Sequence, residues 1–89
     1  MRNLVLDNGK ITSLQISEVT GKNHGHLMRD IRKMEETWVN LGQSKFGLTS
    51  YIDSQNRAKP MYQLSKTESL YIATKFNDEA RAKLILRWE

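Results

Sequence analysis

The chain has 89 residues, 38% of them hydrophobic, which is enough for one small folded domain and too much for a disordered chain. Its formal net charge is +4, from 14 basic and 10 acidic residues, so an anionic partner is favoured without being required. It contains no cysteine, which excludes disulfides, thiolate metal ligands and cysteine nucleophiles. No apolar run approaches the roughly 20 residues of a membrane span, and no signal peptide opens the sequence, so we expect a cytoplasmic protein with no membrane partner.

The first predicted element is a short β-strand at residues 4–6. The turn sequence that follows at residues 7–10 contains Asn8 and Gly9, which tolerate positive φ angles. Ile11 comes directly after this turn, so we expect it to pair back onto the first strand.

Two helices joined by a short turn are predicted next. The first begins at Thr12, which forms a capping box with Gln15, or at the competing cap Ser13. Gly21 ends it, because glycine adopts the left-handed conformation after a helix at little cost, and Asn23 then caps the second helix. The second helix carries one apolar stripe, at intervals of four, three and four residues: Leu27, Ile31, Met34 and Trp38.

A short helix, a glycine-containing turn and a second helix make a helix-turn-helix, here from residue 12 to about residue 37. This unit suits double-stranded DNA, because the second helix fits the major groove and its first turns meet the base edges. Residues 22 to 33 include four cations and one acidic residue, a local charge of +3, and the helical cations lie off the apolar stripe. Arg29 is suited to a bidentate contact with guanine, and the other cations are suited to phosphates. The predicted DNA-binding residues of this segment are Lys22, Asn23, His24, His26, Arg29, Arg32 and Lys33.

The same cations also fit the solvated face of an ordinary amphipathic helix. In that interpretation Arg29 and Arg32 pair with Glu35 or Glu36 at helical spacing. Gly25 favours the DNA interpretation, because glycine is costly within a helix and allows a DNA backbone to approach closely.

The two histidines do not suggest a metal site. His24 and His26 are two positions apart, so on a helix they point in different directions, and no third ligand is obvious nearby. For each histidine, a contact to a phosphate or base and ordinary exposure to solvent are equally good interpretations. No nucleophile-base constellation, carboxylate pair or glycine-rich phosphate loop stands out, so we expect no cofactor, no metal and no enzymatic activity.

Two β-like segments, residues 46–53 and 60–64, flank turn material at residues 54–57 and predict a hairpin. Pro60 has no N–H to donate, so the second strand should start there or lie at an edge. We expect Tyr51 and Tyr62 to pair across the hairpin.

Two cations are expected at or beside the tip of this hairpin. Arg57 and Lys59 complete the predicted DNA-binding set, as a wing contacting the minor groove or flanking phosphates would require. Ordinary solvation of a turn is the alternative interpretation.

Two further helices complete the chain. Ser65 forms a capping box with Glu68, and Asn77 both breaks that helix and caps the last one. The last helix carries an apolar stripe of Ala80, Leu84 and Trp88, with Ile85 beside it. The apolar stripe has not ended where the sequence stops at residue 89, so we expect the chain to be the N-terminal part of a longer protein or its last helix to need a partner. A homodimer through Leu84, Ile85 and Trp88 is one such arrangement.

Taken in order, these residues resemble the N-terminal domain of phage regulatory proteins of the Rha type. In the helix-turn-helix, the resemblance rests on Thr12, Ser13, Ile16, Thr20, Gly21, Lys22, His24, Leu27, Arg29, Asp30, Ile31 and Arg32. In the hairpin and beyond, it rests on Tyr51, Asp53, Gln55, Arg57, Pro60, Met61, Tyr62, Leu64 and Lys66. At the end of the chain, it rests on Phe76, Asn77, Ala80, Arg81, Lys83, Leu84, Ile85, Arg87 and Trp88.

The resemblance implies an α+β fold of the winged helix-turn-helix type. It would have about four helices, a β-hairpin wing and a short N-terminal strand, and residues 1–89 would form one such domain. The implied function is that of a phage or prophage transcriptional regulator bound to double-stranded DNA on the nucleoid of a bacterial host. The alternative is an antirepressor-type module that binds a phage or host repressor protein instead of DNA. Two positions depart from the pattern: His26 stands where relatives often have a small polar residue, and Ser17 replaces a frequent alanine.

Overall fold

Seven elements with short connections make up the computed structural model of the chain, which describes residues 9–89. They are β1 (Lys10–Thr12), α1 (Ser13–Thr20), α2 (His24–Asn40), β2 (Gly47–Ile52), β3 (Ala58–Ser65), α3 (Lys66–Ala73) and α4 (Asp78–Arg87). Four helices and a three-stranded antiparallel sheet give an α+β fold, as the sequence predicted. The strand predicted at residues 4–6 lies outside the described residues.

Side-chain caps begin the two helices of the helix-turn-helix. The Thr12 hydroxyl accepts the N–H of Gln15 at 3.1 Å and the Gln15 side chain accepts the N–H of Thr12 at 2.9 Å, so Thr12 is the cap of α1. The competing cap Ser13 is therefore left with its hydroxyl available for other partners. Gly21 ends α1 in the left-handed conformation (φ 78°), and Asn23 caps α2, both as predicted.

The apolar stripe of α2 lies in the core, as its spacing predicted. Leu27, Ile31 and Met34 are buried, and Trp38 packs against them. The helix continues to Asn40, about one turn beyond the end predicted near residue 37. Trp38 stacks on Tyr71 of α3 with ring centroids 4.8 Å apart, which holds the last turn of α2 against the core.

The sheet has the order β1-β3-β2, and both pairings are antiparallel. Ile11 of β1 pairs with Leu64 of β3, and both side chains are buried. The partner of Ile11 among the described residues is therefore the far strand of the hairpin, whereas the sequence suggested the strand at residues 4–6. This pairing brings the start of α1 against the base of the hairpin.

The hairpin register differs from the predicted one. Tyr51 pairs with Lys59, and Tyr62 pairs with Leu48, so the expected Tyr51–Tyr62 pair is wrong. The turn between the strands sets this register. The Asp53 carboxylate accepts two backbone N–H groups of the turn, and Asn56 adopts a positive φ of 60°. The conformation of the turn, and not a contact between the two tyrosines, thus sets the pairing of the strands.

Pro60 lies inside β3, so the prediction that the strand starts there is wrong. The alternative prediction, that the second strand lies at an edge of the sheet, is also wrong, because β3 is the central strand. The N–H of Tyr62 points towards the β1 side of β3, where it reaches Ser13, and the position two residues earlier points the same way. β1 pairs only as far as Gln63, so no ladder partner is lost at Pro60.

The last two helices close the core over α1. Ser65 and Glu68 form the predicted capping box of α3, and Asn77 caps α4 by accepting the N–H of Ala80 at 2.9 Å. Leu84 is fully buried within the chain, and the Trp88 indole N–H donates to the buried Ser69 hydroxyl at 2.9 Å. Much of the apolar stripe of α4 is therefore covered by the chain itself, while Ile85 and Leu86 remain exposed.

The helix-turn-helix sits beside a hairpin in an arrangement compatible with a winged helix-turn-helix. In the part of the chain that the structure describes, none of the helices combines the length and the apolar character that crossing a membrane requires.

Candidate nucleic-acid interface

Three residues, Gly21, Lys22 and Asn23, connect α1 to α2. The Ser17 hydroxyl donates to the carbonyl of Lys22, which ties α1 to the turn. The Lys22 ammonium lies 5.0 Å from the centroid of the Phe76 ring, a cation–π contact with the connection between α3 and α4. Lys22 is therefore engaged within the chain, which reduces its freedom to reach a phosphate.

The first turn of α2 is organised by its cap. The Asn23 side-chain oxygen accepts the N–H of His26 at 2.9 Å. A Cβ added at Gly25 would lie 3.2 Å from that same oxygen, closer than most such contacts. Packing within the chain thus accounts for Gly25 without any approach of DNA.

The outer face of α2 carries a row of exposed side chains formed by His26, Arg29 and Lys33, which we call the basic row. These positions follow the spacing i, i+3 and i+7, so they lie along one side of the helix. At about 100° per residue, Arg29 lies directly opposite the buried stripe centred near Leu27 and Ile31. Packing of the stripe therefore turns the basic row outward, as the sequence predicted.

The cations of α2 are not held by helical ion pairs. Among residues 9–89 the ion pairs join Arg57 to Asp53, Arg81 to Asp78 and Lys83 to Glu79. The alternative in which Arg29 and Arg32 pair with Glu35 or Glu36 is therefore wrong. Glu35 instead accepts the backbone N–H of Phe46 at 2.9 Å, which fixes the start of β2 against α2.

Arg32 is exposed and lies near the hairpin. Burial raises the pKa of Tyr62, the negative charge of Glu35 raises it further, and the proximity of Arg32 acts in the opposite direction. Arg32 thus presents its charge to solvent on the side of α2 that faces the hairpin.

His24 turns inward, unlike His26. Its Nε2 atom lies 2.9 Å from the Ser13 hydroxyl, and its ring meets the Tyr51 ring edge-on with centroids 5.7 Å apart. Partial burial lowers the pKa of His24, which favours the neutral ring at physiological pH. His24 thus lies between α2 and the hairpin and acts as a spacer, because its contact with Tyr51 of β2 sets their separation.

Ser13 is the residue that sequence reasoning missed. Its hydroxyl is fully buried, accepts the N–H of Tyr62 at 3.0 Å, and contacts both His24 and the sulfur of Met28, the latter at 3.4 Å. A single hydroxyl thus connects α1, α2 and β3. The spacing of four between His24 and Met28 hints at a shared helix face, but nothing local to the sequence connects either residue with Tyr51.

The tip of the hairpin presents two cations in different ways. The Arg57 Nε atom lies 3.2 Å from the Asp53 carboxylate, and 58% of the Arg57 side chain is exposed. The backbone N–H of Arg57 is the main cause of a lowered pKa for Asp53. Lys59 is half-buried and faces the start of α2.

A shallow groove runs between the first turns of α2 and the hairpin. Its lining residues are Asn23, His24, Gly25, Met28, Arg32, Tyr51, Lys59 and Pro60. The structure thus brings four of the predicted DNA-binding residues together here, namely Asn23, His24, Arg32 and Lys59. The basic row lies on the outer face of α2, while Lys22 and Arg57 lie at the turn and at the hairpin tip. Within residues 9–89, no group of three or more metal-ligating side chains is placed to hold a metal ion.

Comparison with known proteins identifies the family. The family described as phage regulatory protein Rha matches residues 11–89, nearly the whole chain. The chain belongs to the Rha family of phage regulatory proteins. Membership agrees with the resemblance in the helix-turn-helix, the hairpin and α4, and the family is described by regulation and not by an enzymatic reaction.

One relative is a curated protein from Haemophilus influenzae (strain Rd) that is described as an uncharacterized protein. It is 32% identical to the chain over 73 residues, which covers 80% of the chain and 42% of the relative. The chain thus spans less than half the length of this relative. No solved structure matches the chain.

Proposed function

We propose that the chain is a phage or prophage transcriptional regulator that binds double-stranded DNA through α1, the turn and α2, in the cytoplasm of the bacterial host. The observation that carries this proposal is the basic row of His26, Arg29 and Lys33, exposed and opposite the buried stripe of α2. A helix of this kind fits the major groove, and its first turns are the part that meets base edges. Membership in a family of phage regulators supports the regulatory role.

Each cation has a distinct part in the proposed complex. Arg29, at the centre of the basic row, contacts a guanine through two parallel hydrogen bonds. Lys33 and Arg32 contact phosphates on either side of the groove, which adds affinity without reading sequence. Lys59 and Arg57 of the hairpin contact the flanking backbone, so the hairpin acts as a wing.

His24 has a positioning role in this proposal. Its contacts with Ser13 and Tyr51 set the separation between the start of α2 and the hairpin. The neutral ring leaves direct DNA contacts to the exposed His26 and the cations around it.

The first test is selection of bound sequences from random duplex DNA at a stated salt concentration, followed by anisotropy titrations of the selected duplex. If about four to six phosphates are contacted, the logarithm of affinity falls against the logarithm of salt concentration with a slope of about −4 to −5. Affinity that does not depend on salt would contradict a phosphate interface.

The second test locates the interface. The double variant Arg29→Ala/Lys33→Ala removes two cations of the basic row, and we expect affinity to fall by at least about tenfold, since each good base contact contributes about 1–3 kcal/mol. The matched control Lys66→Ala/Lys83→Ala lowers the net charge of +4 by the same two units, but on α3 and α4. An equal loss of DNA affinity in both double variants would contradict the placement of the interface on the basic row. If the chain instead binds a repressor protein, it will not be retained on DNA at moderate salt.

A further inference from the structure

The outer edge of β2 is free among residues 9–89. The order β1-β3-β2 places β2 at one edge of the sheet, and five of its six residues are exposed. Leu48 is 65% exposed and Ile52 is 63% exposed. The sequence Gly47–Ile52 carries no charge and no proline, the devices by which proteins usually keep an edge strand from pairing. Such an edge is a template for another strand.

The hydrogen-bond directions of β2 follow from two bonds. The N–H of Tyr62 points away from β2, to Ser13, and the N–H of Asp53 bonds to the carbonyl of Arg57 inside the hairpin. Because antiparallel ladders alternate, the odd-numbered residues of β2 bond to β3 and the even-numbered ones point outward. Leu48, Ser50 and Ile52 thus direct their N–H and C=O groups away from the sheet.

These three outward positions are self-complementary. An antiparallel pairing with a second copy, centred on Ser50, places Ser50 opposite Ser50 and Leu48 opposite Ile52 on both sides of the axis. Three pairs exchanging two hydrogen bonds each satisfy every outward group of the strand. The same pairing covers the two exposed aliphatic side chains of each copy, which lie on one face because their positions differ by an even number.

We propose that the β2 edge binds the β2 edge of a second copy of the chain, forming a two-fold dimer with a continuous six-stranded sheet. This dimer goes beyond DNA binding and does not depend on it.

The test uses the position on the symmetry axis. In the dimer Ser50 faces itself at about 5 Å, so Ser50→Lys or Ser50→Glu places like charges in direct opposition. We expect sedimentation of the 89-residue chain, without DNA, to show concentration-dependent dimers for the wild type and a dissociation constant at least about tenfold weaker for either variant alone. Mixing the two variants restores the dimer, because the introduced lysine of one copy then faces the introduced glutamate of the other.

Two controls separate the edge from general effects of charge. Thr67→Lys adds the same charge at an exposed position of α3, outside the proposed strand pairing, and leaves the dimer intact. The chain contains no cysteine, so Ser50→Cys should form a disulfide-linked dimer on mild oxidation, while Thr49→Cys, whose partner would be Tyr51, should not. A wild type that is monomeric at all micromolar concentrations would overturn the proposal. Dimers that persist in both charge variants would also overturn it and would assign the contact to another surface, such as the exposed Ile85 and Leu86 of α4.

Discussion

The Ser13 hydroxyl offers the sharpest test of how the helix-turn-helix is held to the hairpin. Replacing Ser13 with alanine leaves the buried N–H of Tyr62 without its acceptor, which lies 3.0 Å away in the native chain. A buried donor without a partner costs about 1–3 kcal/mol. The ring of His24 is only partly buried and can bond to water instead, and the Met28 sulfur is a weak acceptor. The loss of these two contacts therefore adds little to the free-energy cost of the substitution.

We therefore expect Ser13→Ala to lower the free energy of unfolding by about 2 kcal/mol, a large share of the roughly 4–13 kcal/mol typical of a chain with 89 residues. The melting temperature should fall by about 8–16 °C, because each kcal/mol shifts it by about 4–8 °C in domains of this size. Urea unfolding and thermal melting measure both quantities directly.

Amide hydrogen exchange locates the effect. Exchange at the Tyr62 amide should accelerate in Ser13→Ala more than exchange at core amides of α3. His24→Ala, which keeps the bond between Ser13 and Tyr62, should cost less than Ser13→Ala, and Ser54→Ala in the exposed turn should change stability by less than about 0.5 kcal/mol. A loss below about 0.5 kcal/mol for Ser13→Ala would refute the view that this hydroxyl completes the β3 ladder.

Two further predictions concern the helix-turn-helix. Partial burial lowers the folded-state pKa of His24 below its usual 6.5, so its contribution to stability is complete above pH 6.5 and is lost as the pH falls through the lower folded value. Urea unfolding across this range should therefore show a free energy of unfolding that decreases with falling pH, and His24→Gln should reduce this pH dependence. Gly21→Ala should cost about 1–2 kcal/mol in thermal unfolding, since φ is 78° and the added Cβ meets no atom within 4 Å, and a Gly21→Asn variant as unstable as the alanine variant would contradict this purely conformational origin.

Much of the candidate interface was predictable because it depends on neighbours within one or two helical turns. The cap at Asn23, the left-handed Gly21 and the outward direction of Arg29 all follow from local chemistry and helical periodicity. The inward turn of His24 was not predictable, because the partner that draws it in is Tyr51 of the hairpin.

The sequence by itself determined the α+β class, the four helix starts, the apolar stripe of α2 and the outward direction of the basic row. Only the tertiary structure decided the strand register, the engagement of Lys22 by Phe76, and the division of the two histidines into a spacer and an exposed side chain. The physical reason is distance along the chain. Ser13 and Tyr62 are 49 residues apart, and a contact of that kind forms only when the whole fold brings its two ends together.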